Sequence, residues 1–225
     1  MQRRAPSSGS KNHADYHAIF VHRVHQFLEA GYQRMRATKP KTPFEFWAEE
    51  EISGELARHI EDVRDELSQP WMRFYSLSPE RHVDEPHIAE GKRRLGKRRK
   101  RLDFQFICCQ RTPVHRFIFE AKSVKQSGAS QLLDEAGLGR ILSGQYARND
   151  AAAGLLAYVQ VGSIDTHIAS LAGELAAHGA NYGLTSDGAW TATTFSRGPA
   201  NTFRTKHQRR KLPIVAIFTT LFLYR

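Results

Sequence analysis

The chain of 225 residues carries only two cysteines, Cys108 and Cys109, and they are adjacent. Neighbouring cysteines bridge only with strain, both fall in a run that reads as a core strand, and no secretory leader precedes them. A disulfide framework is therefore excluded, and reduced thiols in a cytoplasmic protein are expected. The eleven histidines are scattered, with His22 and His25 on an N-terminal helical stretch, and no Cys or His pair has structural-zinc spacing. The longest apolar run, residues 212–223, is broken by Pro213 and two threonines. It is too short to span a bilayer and reads as a buried strand, so no membrane partner is expected. Gly137-Leu138-Gly139 lacks the rest of a dinucleotide fingerprint and has no P-loop lysine, which argues against nucleotide binding. No helix-turn-helix signature, motor motif or internal repeat is present.

Acidic residues are also in short supply: 23 Asp and Glu against 33 Lys and Arg give a formal net charge of +10. That excess favours a polyanionic partner. Much of it is concentrated in Lys92, Arg93, Arg94, Lys97, Arg98, Arg99, Lys100 and Arg101. Such a run holds a phosphate backbone while reading little sequence. Its bland alternative is a solvated loop or a localisation signal.

Two strand-like runs follow, 102–109 (LDFQFICC) and 114–122 (VHRFIFEAK), separated by Gln110-Arg111-Thr112-Pro113, which suits a hairpin turn. A turn centred between Arg111 and Thr112 places residues whose numbers sum to 223 opposite each other. Asp103 then faces Glu120, Gln105 faces Ile118 and Ile107 faces Arg116, with Lys122 on the same face as Glu120. The other face pairs Leu102 with Ala121, Phe104 with Phe119 and Phe106 with Phe117, an apolar surface to pack on a core.

Two carboxylates opposed across antiparallel strands are costly unless a cation lies between them. Mg²⁺, or Mn²⁺ in its place, suits such a pair, because it needs few carboxylates, keeps several waters and accepts substrate phosphate oxygens. The Ala121 carbonyl is a candidate extra ligand. Lys122 is placed to orient an attacking water, to help deprotonate it, or to stabilise the pentacovalent charge.

Upstream, Ile52, Leu56, Ile60, Val63 and Leu67 recur at helical spacing after Pro43. On that helix Glu49 falls inside the apolar stripe, whereas Glu50 and Glu51 point away from it. Glu49 is thus a candidate third acidic ligand, direct or through water. If the helix instead begins after it, all three acids serve only the N-terminal dipole.

Asp103 followed by Glu120-x-Lys122 resembles the PD-(D/E)xK nuclease superfamily, the restriction-endonuclease-like fold, over roughly residues 46–162. Leu102 stands where the motif's name has Pro. The resemblance implies an α/β protein with a mixed central sheet flanked by helices and Mg²⁺-dependent phosphodiester hydrolysis. Catalytic Asp103, Glu120 and Lys122, and an acidic residue on the upstream helix, are part of that implication. A DNA endonuclease of a prokaryotic restriction or anti-phage defence system is the expectation, as a homo-oligomer or with a partner protein. A nucleic-acid-binding subunit that does not cut, or an RNase on the same scaffold, is the alternative.

The remaining organisation follows from pattern. Residues 1–15 read as a disordered basic tail and 16–42 as a helix (16–35, with Ile19, Phe20, Val24, Phe27, Leu28 and Tyr32 as its stripe) plus a basic linker; 43–225 would form the nuclease domain. Strands are expected at 71–77, 87–90, 154–161, 190–195 and 214–224, and helices at 132–146 and 164–178, with Gly137 and Gly139 weakening the former. A strand, a helix and a strand after a hairpin suit the same fold. Lys125 and Gln126 are either contacts to DNA phosphates or to waters around the metal, or simply a polar strand exit. Tyr146 and Arg148 are either a pair facing a substrate groove or packing. His207 and Arg209 lie in a basic segment, 204–211, expected to be a solvated loop, with a phosphate contact as the alternative.

Overall fold

The structure, a computed structural model, describes residues 8–38, 42–67, 69–82, 101–110, 114–125 and 128–225. The expected strand at 87–90 and the basic run from Lys92 to Lys100 lie outside the described residues, and of Arg101 only the backbone is described.

Helix α1 spans Ser8–Ala37 and α2 Glu49–Leu67. Helix α1 therefore begins within the stretch expected to be a disordered tail. Once the buried stripe of Phe20, Val24, Phe27 and Leu28 nucleates the helix, no Pro stops its propagation back to Ser8. Ile19, assigned to that stripe, is instead half exposed. Helix α2 starts at Glu49, where the Glu51 carboxylate accepts from the Ala48 N–H at 2.7 Å and caps the first turn.

Strands β1 (Tyr75–His82), β2 (Arg101–Cys108) and β3 (His115–Val124) are followed by the short helices α3 (Gly128–Leu133) and α4 (Leu138–Leu142). Then come β4 (Ala152–Val159), α5 (Ile164–His178), β5 (Thr191–Ala192), β6 (Thr202–Arg209) and β7 (Leu212–Leu223). One seven-stranded mixed sheet has the order β1-β2-β3-β4-β7-β6-β5. Strands β1, β2 and β3 form an antiparallel meander, β3, β4 and β7 run parallel, and β6 returns antiparallel to β7.

The hairpin register follows the sum of 223: Phe104 pairs with Phe119, Gln105 with Ile118, Phe106 with Phe117, Ile107 with Arg116 and Cys108 with His115. The Phe face packs into a core with Phe20, Phe27 and Leu28 of α1 and Ile52, Leu56 and Ile60 of α2. The opposite face is covered as well: Ile118, Leu155, Val215 and Ile217 pack with Leu132, Ile141, Leu171 and Leu175 of α3, α4 and α5. Central β3 and β4 are accordingly buried on both sides, as parallel strands are. Space is tight between them, for a Cβ on Gly154 would lie 2.1 Å from the Phe119 ring.

Several expected elements differ in extent. Residues 72–74 form a 3-10 turn before β1, which runs on to His82 because β2 supplies partners as far as Arg101. The helix expected at 132–146 is two, broken at Gly137, whose backbone (φ −104°, ψ −109°) is not helical and where a Cβ would strike the Leu132 carbonyl at 2.2 Å. Strand β5 has two residues rather than six. The segment expected to be a solvated basic loop is strand β6, with His207 and Arg209 buried. Arg209 donates to the carbonyls of Pro213 and Ala147, both at 2.7 Å, and these bonds let a basic side chain be buried there. Both cysteines are free, Cys108 buried and Cys109 exposed. No helix among the described residues is long and apolar enough to cross a membrane.

Candidate active site

Asp103 of β2 converges with Glu120 and Lys122 of β3, and Glu49 of α2 and Arg140 of α4 reach the same cluster. Asp103 Oδ2 accepts from the Ala121 N–H at 2.7 Å, which pins the aspartate across the β2-β3 ladder. Glu120 is fully buried and points to the side of α4. Its Oε1 accepts from Lys122 Nζ at 2.9 Å and from Arg140 Nη1, while Oε2 is buried with no hydrogen-bond partner. Lys122 also donates to the Ala121 carbonyl at 2.8 Å and to Glu49 Oε1 at 3.0 Å. Glu49 reaches in from the first turn of α2, and its second oxygen accepts from the Ser123 N–H at 2.8 Å.

The stripe position of Glu49 therefore does bring it to the cluster, as a partner of Lys122 and of the β3 backbone. Glu50 and Glu51 stay exposed. Lys125 is exposed beyond the end of β3. Arg140 is the site residue that sequence reasoning missed. It lies on a five-residue helix after a glycine-rich break, where no periodicity marks a face, and within the helix expected at 132–146 nothing set it apart from a solvated arginine. Tyr146, one of the two readings of which was packing, is buried with its ring centroid 5.8 Å from the Arg140 guanidinium. Its hydroxyl feels both Glu120 and Asp103, whereas Arg148 is exposed.

The electrostatics follow from burial. Desolvation pushes the Glu120 carboxyl up to about 7, with the neighbouring Asp103 adding to the rise and Lys122 and Arg140 opposing it. Asp103 is pushed up to about 6, again chiefly by burial, with the Ala121 N–H and Lys122 opposing and Glu49 adding. Burial works against the charge on Lys122, yet Glu120 and Glu49 outweigh it and hold the ammonium above its ordinary range. Three carboxylates thus face two cations.

Among the described residues no group of three or more His, Cys, Asp or Glu side chains is disposed to hold a metal ion. What the site offers is a pair, Asp103 and Glu120, with elevated pKa values and one bare, buried oxygen on Glu120. That donor set fits a small hard cation that completes its shell with water and phosphate oxygens, as Mg²⁺ does. It does not fit a soft metal. Comparison of the chain with models of known families, with curated proteins and with solved structures gives no match.

Proposed function

We propose that the protein is a Mg²⁺-dependent nuclease that hydrolyses phosphodiester bonds, with DNA as its substrate and Asp103, Glu120 and Lys122 as its catalytic residues. The single observation that carries this reading is the buried carboxylate pair on adjacent strands, whose charge the fold leaves under-compensated at Glu120 Oε2. The meander β1-β2-β3 followed by a helical crossover to parallel β4 supports the restriction-endonuclease-like core that the resemblance implies. The net charge of +10 supports a polyanionic substrate.

Asp103 and Glu120 would hold Mg²⁺, which would supply Lewis acidity toward a phosphate and a water of lowered pKa. The chain's own residues do the rest. Asp103, fixed by the Ala121 N–H, and Glu120, fixed by its two cations, hold their oxygens in place before substrate arrives. Lys122 stays protonated between two carboxylates, which favours orientation of the attacking water and stabilisation of charge on the phosphorus oxygens over proton abstraction. Glu49 holds the Lys122 ammonium from the α2 side. Water oxygen bonds to phosphorus as its proton passes to solvent, and the bond from phosphorus to the leaving oxygen breaks with its pair going to that oxygen, which takes up a proton from solvent.

The test is incubation of purified protein with supercoiled plasmid, linear duplex, single-stranded DNA and RNA, with Mg²⁺ and with EDTA. Metal-dependent cleavage of a DNA substrate is expected. Cleavage of RNA alone would reassign the substrate, and binding without cleavage of any substrate would remove the enzymatic reading.

A further inference from the structure

Arg140 has no part in the motif, yet it donates to the oxygen of Glu120 that Lys122 also uses. Its surroundings are built for that placement. Helix α4 starts directly after a tight turn in which the Gly137 N–H donates to Asp134 Oδ1 at 2.8 Å and the Gly139 N–H to the Asp134 carbonyl at 2.9 Å. The Arg140 carbonyl accepts from the Tyr146 N–H at 3.0 Å, so the chain beyond α4 folds back and lays the Tyr146 ring beside the guanidinium. The side chain is nonetheless one-third exposed, while Glu120 beneath it is fully buried. Arg140 thus bridges the buried carboxylate and the solvent, and a guanidinium offers five donors, of which Glu120 takes one.

Resting on the nuclease reading, we propose that Arg140 is a further catalytic residue, which neutralises Glu120 while the site is free of metal and turns to a nonbridging oxygen of the scissile phosphate when the site is loaded. The planar fork suits a phosphate, and its charge matches what develops on the phosphorus oxygens. Lys122 has three donors and three acceptors, Glu120, Glu49 and the Ala121 carbonyl, so it must give one of them up to serve the attacking water, whereas Arg140 need not. Arg140 and a divalent cation compete for the same carboxylate, so the residue lowers metal affinity while it raises the rate of the loaded enzyme. A purely structural arginine has no reason to move these two quantities in opposite directions.

The experiment measures Mn²⁺ binding by calorimetry and single-turnover cleavage of plasmid for wild type, Arg140→Met and Arg140→Lys, with thermal unfolding to establish that each is folded. Arg140→Met should bind Mn²⁺ about tenfold more tightly because a like charge beside the ion is gone. Its cleavage rate at saturating metal should fall by roughly 10²-fold or more, the usual loss for one transition-state donor. Arg140→Lys, which keeps the charge without the fork, should leave Mn²⁺ affinity near wild type and recover part of the rate. Weaker or unchanged Mn²⁺ binding in Arg140→Met, or an unchanged cleavage rate, overturns the proposal and leaves the nuclease reading standing. Absence of Mn²⁺ binding and of cleavage in the wild type overturns both.

Discussion

Replacing Glu120 by Gln removes a charge that the fold tolerates poorly, and the sign of the effect on stability depends on pH. Burial, aided by Asp103, raises the carboxyl from 4.5 in the unfolded chain to about 7 in the folded protein, against the pull of Lys122 and Arg140. For a group raised on folding, the contribution to stability is fully present below pH 4.5 and is lost as pH rises through about 7. A rise of that size corresponds to a loss of about 3 kcal/mol between pH 4 and pH 8.5. Asp103, raised from 3.8 to about 6, acts in the same direction at lower pH, and the two titrate as a pair. His25 works oppositely: burial lowers its imidazole from 6.5 to about 4, so its contribution is lost as pH falls through that window. The difference between wild type and Glu120→Gln cancels the histidine and leaves the Glu120 carboxylate together with its coupling to Asp103. Urea unfolding of both proteins in EDTA from pH 4 to 8.5 should show wild type losing about 3 kcal/mol relative to the variant. Mg²⁺ at a hundred times its dissociation constant should return about 2.7 kcal/mol to wild type at pH 8.5 and little to the variant. A difference that stays flat, or that grows in favour of wild type as pH rises, would refute the reasoning.

Other perturbations have equally definite outcomes. Glu49→Ala frees Lys122 of one of its two carboxylate partners, so cleavage should fall roughly tenfold or more with duplex binding unchanged, read from kcat against substrate affinity. Arg209→Leu removes the buried donor that serves the Pro213 carbonyl and the shorter of two bonds to the Ala147 carbonyl, and should cost roughly 3 kcal/mol in urea unfolding. Gly154→Val drives a branched side chain into the Phe119 ring and should destabilise by about 2 kcal/mol or yield insoluble protein. Neutralising Lys97, Arg98, Arg99 and Lys100 together should weaken DNA binding and lower its salt slope by about 4 if each touches a phosphate, without changing single-turnover cleavage at saturating enzyme.

The parts of the fold that were readable in the sequence are those where side-chain chemistry and burial agree. Alternating Phe104, Phe106, Phe117 and Phe119 fixed the register of the β2-β3 hairpin, because a slip of one residue would put two of the four aromatic rings on the wrong face. The apolar stripe of α2 placed Glu49 on the inner side, and there it meets Lys122 and Ser123. Helix α5, with Ser163 capping it through the Thr166 N–H, has the expected bounds. Where burial falls on polar residues, the pattern misleads. Strand β6 buries Thr202, Thr205, His207 and Arg209, so its sequence looks like a loop although backbone carbonyls and cross-strand partners satisfy those side chains. Arg140 was hidden for a related reason: its position is set by a glycine break and a five-residue helix, and neither leaves a period to read.

The central claim is that Asp103, Glu120 and Lys122 form a metal-dependent hydrolytic site, and cleavage of supercoiled plasmid by wild type, Asp103→Asn and Lys122→Ala, purified alike and assayed with Mg²⁺ and with EDTA, tests it most directly. The account predicts nicking or linearisation by wild type with Mg²⁺ only, and loss of cleavage in both variants with plasmid binding retained, since Lys122 is one of 33 basic residues. Cleavage that survives in either variant, or that proceeds in EDTA, would contradict it.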